Sequence, residues 1–214
     1  MVRASHAAAA TATLDTRTQL LAVARDLYLE EGPAHFSLRE VARRVGVSPA
    51  AVYRHFDDKA ALVDAACTQG FHVFSGYLVR ALEAPTPLAR LLATGEQYRL
   101  FALENAMDYR FIFMSPRTHD GHQGAKKLAA KGAGGELGPQ GATFRLLVDR
   151  VKECMVAGIL AHGDPDEVAV LIWAHVHGLV SLRLSGNLDS AGDDEAFAMF
   201  YEASVARLLA GLKP

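Results

Sequence analysis

Just behind two alanines, Ala50 and Ala51, the chain places Tyr53, Arg54 and His55, and Lys59 follows about one turn later. Arginine, histidine and lysine can donate hydrogen bonds to phosphate oxygens or to the acceptor edge of a guanine. Side chains as small as alanine let a backbone come close to base edges. This is the chemistry of recognition rather than of bond breaking. From Gly32 to Phe56, four arginines (39, 43, 44 and 54) stand against one acid, Glu40, a local charge of +3 on a chain of net charge −2. Such asymmetry is expected of a surface that faces DNA.

These side chains need a rigid frame, and the residues before them supply one. Ser37 and Glu40 form the pattern of a capping box, which predicts a helix from Leu38. Gly46 accepts a left-handed backbone without steric cost and should end that helix. Ser48 can cap a second helix with Pro49 at its first position, where a missing N–H costs nothing. Leu38, Val41, Val45, Val47, Val52 and Phe56 can close a shared core, with Ala42 small enough to let the helices approach. This reads as a helix-turn-helix whose second helix can enter a major groove. Phe56 reads as a core aromatic, and Tyr53 is open to the same reading. Arg43 reads as a solvated charge, the usual fate of such a residue, and Lys59 as a phosphate contact.

In the runs Ser37-Leu38-Arg39-Glu40-Val41-Ala42, Gly46-Val47-Ser48 and Val52-Tyr53-Arg54-His55-Phe56, then Lys59 and Leu62, the chain resembles the tetracycline-repressor family of bacterial transcriptional regulators. The resemblance implies that Ser37, Ser48, Tyr53, His55 and Lys59 contact phosphates of a double-stranded DNA operator, while Pro49, Ala50 and Arg54 face bases. The family often has an aromatic where Arg54 stands, so base preference does not carry over. Three helices for DNA and about six for sensing a small-molecule effector are also implied. Trp173 with His177-Gly178 resembles the Trp-x-x-x-His-Gly pattern of one subgroup of sensing domains.

With 214 residues, half of them hydrophobic, the chain can bury one or two cores. Strand-like alternation between hairpin turns is missing, so an all-α fold is expected, with an arm over 1–13, a DNA-binding domain over 14–60 and a sensing and dimerisation domain over 61–214. Cys67 and Cys154 are far apart on apolar stretches and suggest neither a disulfide framework nor a zinc cluster, which fits a reducing cytoplasm. The most apolar run, 168–182, contains His175 and His177 and is too short to span a bilayer. The first thirteen residues lack the apolar core of a signal peptide.

Periodicity places helices from Asp15 or Thr16 to about Glu31, where Gly32-Pro33 stops the chain, and from Asp57 or Asp58 to about Leu82 without a linker between domains. Such a continuous helix could act as a lever. Others are expected over 88–105, around Tyr109 to Phe113, over 143–162, from Asp164-Pro165 onward, and from Asp193 or Asp194 to about Leu209, nine in all. The glycine-rich segment 115–141 reads as a surface loop and carries no nucleotide-binding fingerprint.

Large side chains beyond what one packing face can use predict an apolar pocket formed by Phe74, Tyr98, Phe101, Tyr109, Phe113, Phe144, Met155 and His177. Tyr98 and His177 are its polar anchors. A single helix-turn-helix reads half a site, so a homodimer on a palindromic operator is expected. Its interface is placed on Ile172, Val176, Leu179 and Arg183 of one helix and Phe197, Tyr201, Ser204 and Leu208 of the last. Nine histidines, including His119, His122, His162, His175 and His177, raise the alternatives of a metal-responsive regulator or an all-α metal-binding enzyme. Residues two apart on a regular helix point about 200° apart, so His175 and His177 cannot share a metal. No G-x-S-x-G or H-E-x-x-H motif occurs, and no catalytic residue, metal site or cofactor is expected.

Overall fold

A computed structural model describes residues 15–115, 138–188 and 192–214, and every regular element among them is helical. The N-terminal arm and most of the glycine-rich segment, with His119 and His122, lie outside the described residues. The chain divides into two compact units, one ending at Ala66 and the other starting at Cys67.

In the first unit, α1 (Thr16–His35) starts on Asp15, whose carboxylate accepts the Thr18 N–H at 2.9 Å. Leu20, Leu21, Ala24, Leu27 and Tyr28 form its buried face. Gly32, at φ 73°, breaks the helix, and Pro33 starts the short turn that ends at His35. α2 (Leu38–Val45) buries Val41 and Ala42 and stops at Gly46, whose φ of 79° lets the Val47 N–H reach back to the Ala42 carbonyl at 3.0 Å. α3 (Pro49–Tyr53) begins on Ser48, whose Oγ accepts the Ala51 N–H at 3.2 Å. Val52 and Phe56 complete the core, while Leu38, Val45 and Val47 are only half-buried.

Two local expectations are corrected. Ser37 stands at the helix start, but its side chain makes no cap and the capping box does not form. The Glu40 carboxylate instead takes Arg43 at 2.6 and 2.8 Å and Arg44 at 3.1 Å, because charge-assisted bonds to guanidinium are stronger than a bond to one backbone amide. α3 is also short. Arg54 is its C-cap rather than an interior residue, and Ala51 is buried beneath it.

α4 (Lys59–Arg80) is capped by Asp58, which accepts the Ala61 N–H at 2.8 Å, and the unit boundary falls within this helix. In the second unit a 3₁₀ turn, Ala81–Glu83, leads to α5 (Pro87–Glu104), where Thr86 caps and Pro87 takes the first position. α6 (Ala106–Tyr109) runs directly into a π-helical turn, Arg110–Met114. Then come α7 (Pro139–Val156), α8 (Pro165–Leu184) and α9 (Asp194–Ala210), which makes nine α-helices among the described residues. α7 both starts and ends earlier than the periodicity suggested. Pro139 opens it, and Gly158, at φ 68°, turns the chain so that Ile159 lies beyond the helix. Asp164 and Asp193 cap α8 and α9 as expected. α5 packs on α7 and α8, α7 on α8, and α8 on α9. α8 is long and apolar enough to cross a membrane by composition alone, but Ala169, Ile172, Val176 and Val180 are buried within the second unit.

Candidate nucleic-acid interface and ligand cavity

The short α3 leaves a compact exposed edge. Ser48, Pro49, Ala50, Tyr53, Arg54 and His55 are all exposed, and Tyr53 is 57% exposed, so it is no core aromatic. Phe56 is the core residue, with the Arg17 guanidinium 5.3 Å from its ring centroid. Ser37 is half-buried at the start of α2. Lys59 is also half-buried, donates to the Pro33 carbonyl at 2.5 Å and lies 5.4 Å from the Phe36 ring centroid.

The basic patch is narrower than the residue count implied. Arg44 pairs with Glu30 at 2.6 Å, Glu31 at 3.5 Å and Glu40 at 3.1 Å, and Arg43 pairs with Glu40. Hydrogen bonds from Arg43 and then Arg44 hold the Glu40 carboxyl down to about 2. Arg39 and Arg54 are exposed and form no ion pair among the described residues. The two acids on α1 that neutralise Arg44 are far away in sequence, which is why a local count missed them.

The second unit holds a cavity of about 60 Å³, walled by α4, α5, α7, α8, α9 and the π-helical turn. At roughly 10–15 Å³ per water this is room for a few waters or a small organic group. Of the sequence candidates, Phe74, Tyr98, Phe113 and Phe144 are on its wall. Phe101 and Tyr109 are wholly buried without lining it, Met155 is buried on α7 away from it, and His177 stands behind Tyr98. The wall also contains Trp173, Thr94, Gln140 and Thr143, none of which was singled out for it from sequence. Threonines on the inner face of an apolar helix were the available signal. Phe113 reaches the wall from the π-helical turn, with its ring 5.5 to 6.2 Å from those of Phe71, Phe74, Tyr98 and Trp173.

Where Tyr98 meets the wall, its hydroxyl joins a largely buried polar cluster. The Tyr98 and Tyr109 hydroxyls lie 2.9 and 2.8 Å from Nδ1 of His177 and 3.2 Å from each other, and Ser181 Oγ lies 3.4 Å from Nε2 of His177. Burial lowers the pKa of His177 and raises those of both tyrosines, that of Tyr98 strongly, so all three are neutral near pH 7.

Six of the eight residues expected at a dimer interface are engaged within one chain. Ile172, Val176, Phe197 and Tyr201 are buried, and Ile172 and Val176 line the cavity. Tyr201 donates to the Gly95 carbonyl at 2.7 Å, Ser204 bonds Nε2 of His175 at 3.0 Å, and Arg183 pairs with Asp194 at 3.0 Å. Leu179 and Leu208 are half-buried. Both helices carry more apolar surface than one face needs, so the hydrophobic pattern did not distinguish the inward face from the outward one. The outward face of α8 presents Val170, Leu171 and Leu182, and that of α9 presents Met199 and Phe200.

A helix-turn-helix unit and a separate helical unit with an apolar cavity define the architecture of a DNA-binding transcriptional regulator. Residues 20–66 match the family model for bacterial regulatory proteins of the tetR family, and residues 91–208 match that for a tetracyclin repressor-like C-terminal domain. The chain belongs to the tetR family, whose members regulate transcription by binding DNA and are not enzymes. It is 25% identical over 186 residues to the HTH-type transcriptional regulator TtgR of Pseudomonas putida, covering 85% of this chain and 87% of that one. A solved protein of unknown function from Rhodococcus sp. RHA1 is 30% identical, with a TM-score of 0.67 over 96% of this chain and 99% of that one. The fatty acid degradation regulator FadR of Bacillus halodurans shares the fold at 14% identity, with a TM-score of 0.71 over 92% and 99% of the two chains.

Proposed function

We propose that the protein is a ligand-responsive repressor that binds a palindromic operator as a homodimer and is released by a small, largely hydrophobic effector. The observation that carries this reading is the cavity. Its wall includes Phe71, Phe74 and Leu78 of α4, the helix whose first turns belong to the DNA-binding unit. A molecule seated there touches an element that both units share. Only a ligand that prefers the DNA-incompetent state can release DNA, and tenfold release needs about 1.4 kcal/mol of differential binding.

The dimer follows from the half-site geometry of one helix-turn-helix. Leu171, Ala174, Gly178 and Leu182 recur at intervals of three and four along the outer side of α8, as Met199, Ala203, Ala206 and Ala210 do on α9. Small residues between large ones let two such helix pairs approach closely as a four-helix interface. To test the whole reading, an operator is selected from random DNA, and small apolar compounds are then screened by thermal shift and by release of that operator. An inverted repeat and a compound that releases it are expected. A constitutive binder indifferent to every compound that stabilises the protein would overturn the effector reading.

A further inference from the structure

We infer that the effector is an uncharged molecule carrying a hydrogen-bond acceptor oxygen of the carbonyl type, that this oxygen is held by the Tyr98 hydroxyl, and that Tyr109 and His177 position that hydroxyl. The inference rests on the reading that the cavity is the effector site, and it adds the chemistry the site selects. Among the described residues of the wall none carries a charge, so an ionised ligand would be desolvated without a partner.

Among the wall hydroxyls the hydrogen-bond inventory then points to Tyr98 as the donor. Thr94 commits its hydroxyl hydrogen to the Arg90 carbonyl at 2.8 Å, and Thr143 commits its own to the Gln140 carbonyl at 2.9 Å. Gln140 is not without a partner. That leaves the Tyr98 hydroxyl, whose hydrogen has more than one possible acceptor within the cluster.

Neutral His177 can offer one lone pair at Nδ1, yet two tyrosine hydroxyls stand within 2.9 Å of it. When Tyr109 donates to Nδ1, the Tyr98 hydrogen is left with the longer 3.2 Å contact to Tyr109. An acceptor oxygen in the cavity can take that hydrogen while Tyr109 keeps Nδ1, so the ligand gains a bond and the cluster loses only the 3.2 Å contact between the two tyrosines.

The test uses the single tryptophan of the chain, Trp173, as a reporter within the wall. Acetophenone and α-methylstyrene have nearly the same shape and differ in a C=O against a C=CH2, and benzoate adds a charge. Each is titrated into the full-length protein while the indole N–H resonance of Trp173 is followed. Acetophenone is expected to bind roughly three- to tenfold more tightly than α-methylstyrene, the worth of one net hydrogen bond, and benzoate not to bind. Tyr98→Phe should bring the two neutral probes to equal affinity. Tyr109→Phe should narrow their ratio, because Tyr98 then turns to Nδ1, while leaving α-methylstyrene unchanged; a merely structural loss would weaken both probes alike. Equal affinities in the wild-type protein would overturn the inference and leave the cavity reading intact, and they do so even if a variant fails to fold. If no neutral probe moves the Trp173 signal, the cavity reading itself falls.

Discussion

Lys59 donates from Nζ to the Pro33 carbonyl at 2.5 Å, which ties the first turn of α4 to the broken end of α1. That carbonyl is available because Pro33 lies in the last turn of α1, which ends at His35. Lys59 is therefore a structural tie before it is a DNA contact, with two ammonium hydrogens left for a phosphate.

Lys59→Met should act on both roles. Loss of a charge-assisted bond is expected to lower stability by about 1.5–3 kcal/mol, seen as a lower midpoint in urea. If the remaining hydrogens meet a phosphate, the log–log dependence of operator affinity on salt should also become shallower by about one. An unchanged salt slope with reduced stability would restrict Lys59 to the structural role.

Arg54 and Glu40 should affect DNA binding in opposite directions. Arg54 is exposed and without an ion pair among the described residues, so Arg54→Ala should cost roughly 1–3 kcal/mol of operator affinity and relax preference at one base position. Glu40→Gln removes the carboxylate that Arg43 and Arg44 share. It should strengthen binding to unrelated DNA and steepen its salt dependence while sparing base preference. Electrophoretic titrations on specific and random duplexes at several salt concentrations separate the two effects.

Much of the first unit was legible from local signals. Gly46 and Ser48 act over three or four residues, and such rules can be read along a chain. The Ser37 and Glu40 pattern misled because its competitor was an arginine pair rather than anything the capping rule considers. In the second unit the reach is longer. Phe113 lines the cavity from a π-helical turn that no periodicity announces, and Tyr98 meets His177 across 79 positions. The placement of Ile172 and Val176 shows the same limit: an all-round apolar helix states that it is covered, and not by what.

Gly70 packs against α6 and the π-helical turn so closely that an added Cβ would lie 2.7 Å from Cγ2 of Ile112, a buried methyl with little freedom. Gly70→Ala in a helix interior should gain about 0.8–1.0 kcal/mol in propensity, whereas overpacking costs about 1–3 kcal/mol. A net loss of up to about 2 kcal/mol is expected in chemical denaturation. A gain would mean that the turn gives way freely.

Burial lowers the pKa of His177 from its ordinary 6.5. The unfolded chain therefore takes up a proton at a higher pH than the folded one, so stability from this group is present above 6.5 and is lost as pH falls below it. The slope cannot exceed about 1.4 kcal/mol per pH unit for one group, and partial exposure will reduce it. Unfolding midpoints measured between about pH 5 and pH 7.5 should fall toward acid, and His177→Gln should flatten that dependence. An equally steep profile in the variant would assign the proton uptake to another group.

The faces of α8 and α9 make opposite predictions for assembly. Leu171 and Phe200 point outward, at 46% and 42% exposed, whereas Tyr201 is buried and donates to the Gly95 carbonyl. A charge at Leu171 or Phe200 costs little in an isolated chain but is desolvated without a partner inside an apolar interface. Leu171→Glu with Phe200→Glu should therefore give a folded monomer with weakened binding to a full inverted repeat. Tyr201→Phe removes a second donor from a carbonyl that α5 already pairs and should lower stability by about 0.5–1.5 kcal/mol while the protein remains a dimer. Sedimentation velocity at micromolar concentration, beside thermal unfolding, reads both. A double mutant that stays dimeric would place the interface elsewhere, and a Tyr201→Phe protein that turns monomeric without losing stability would return the interface to the inward face.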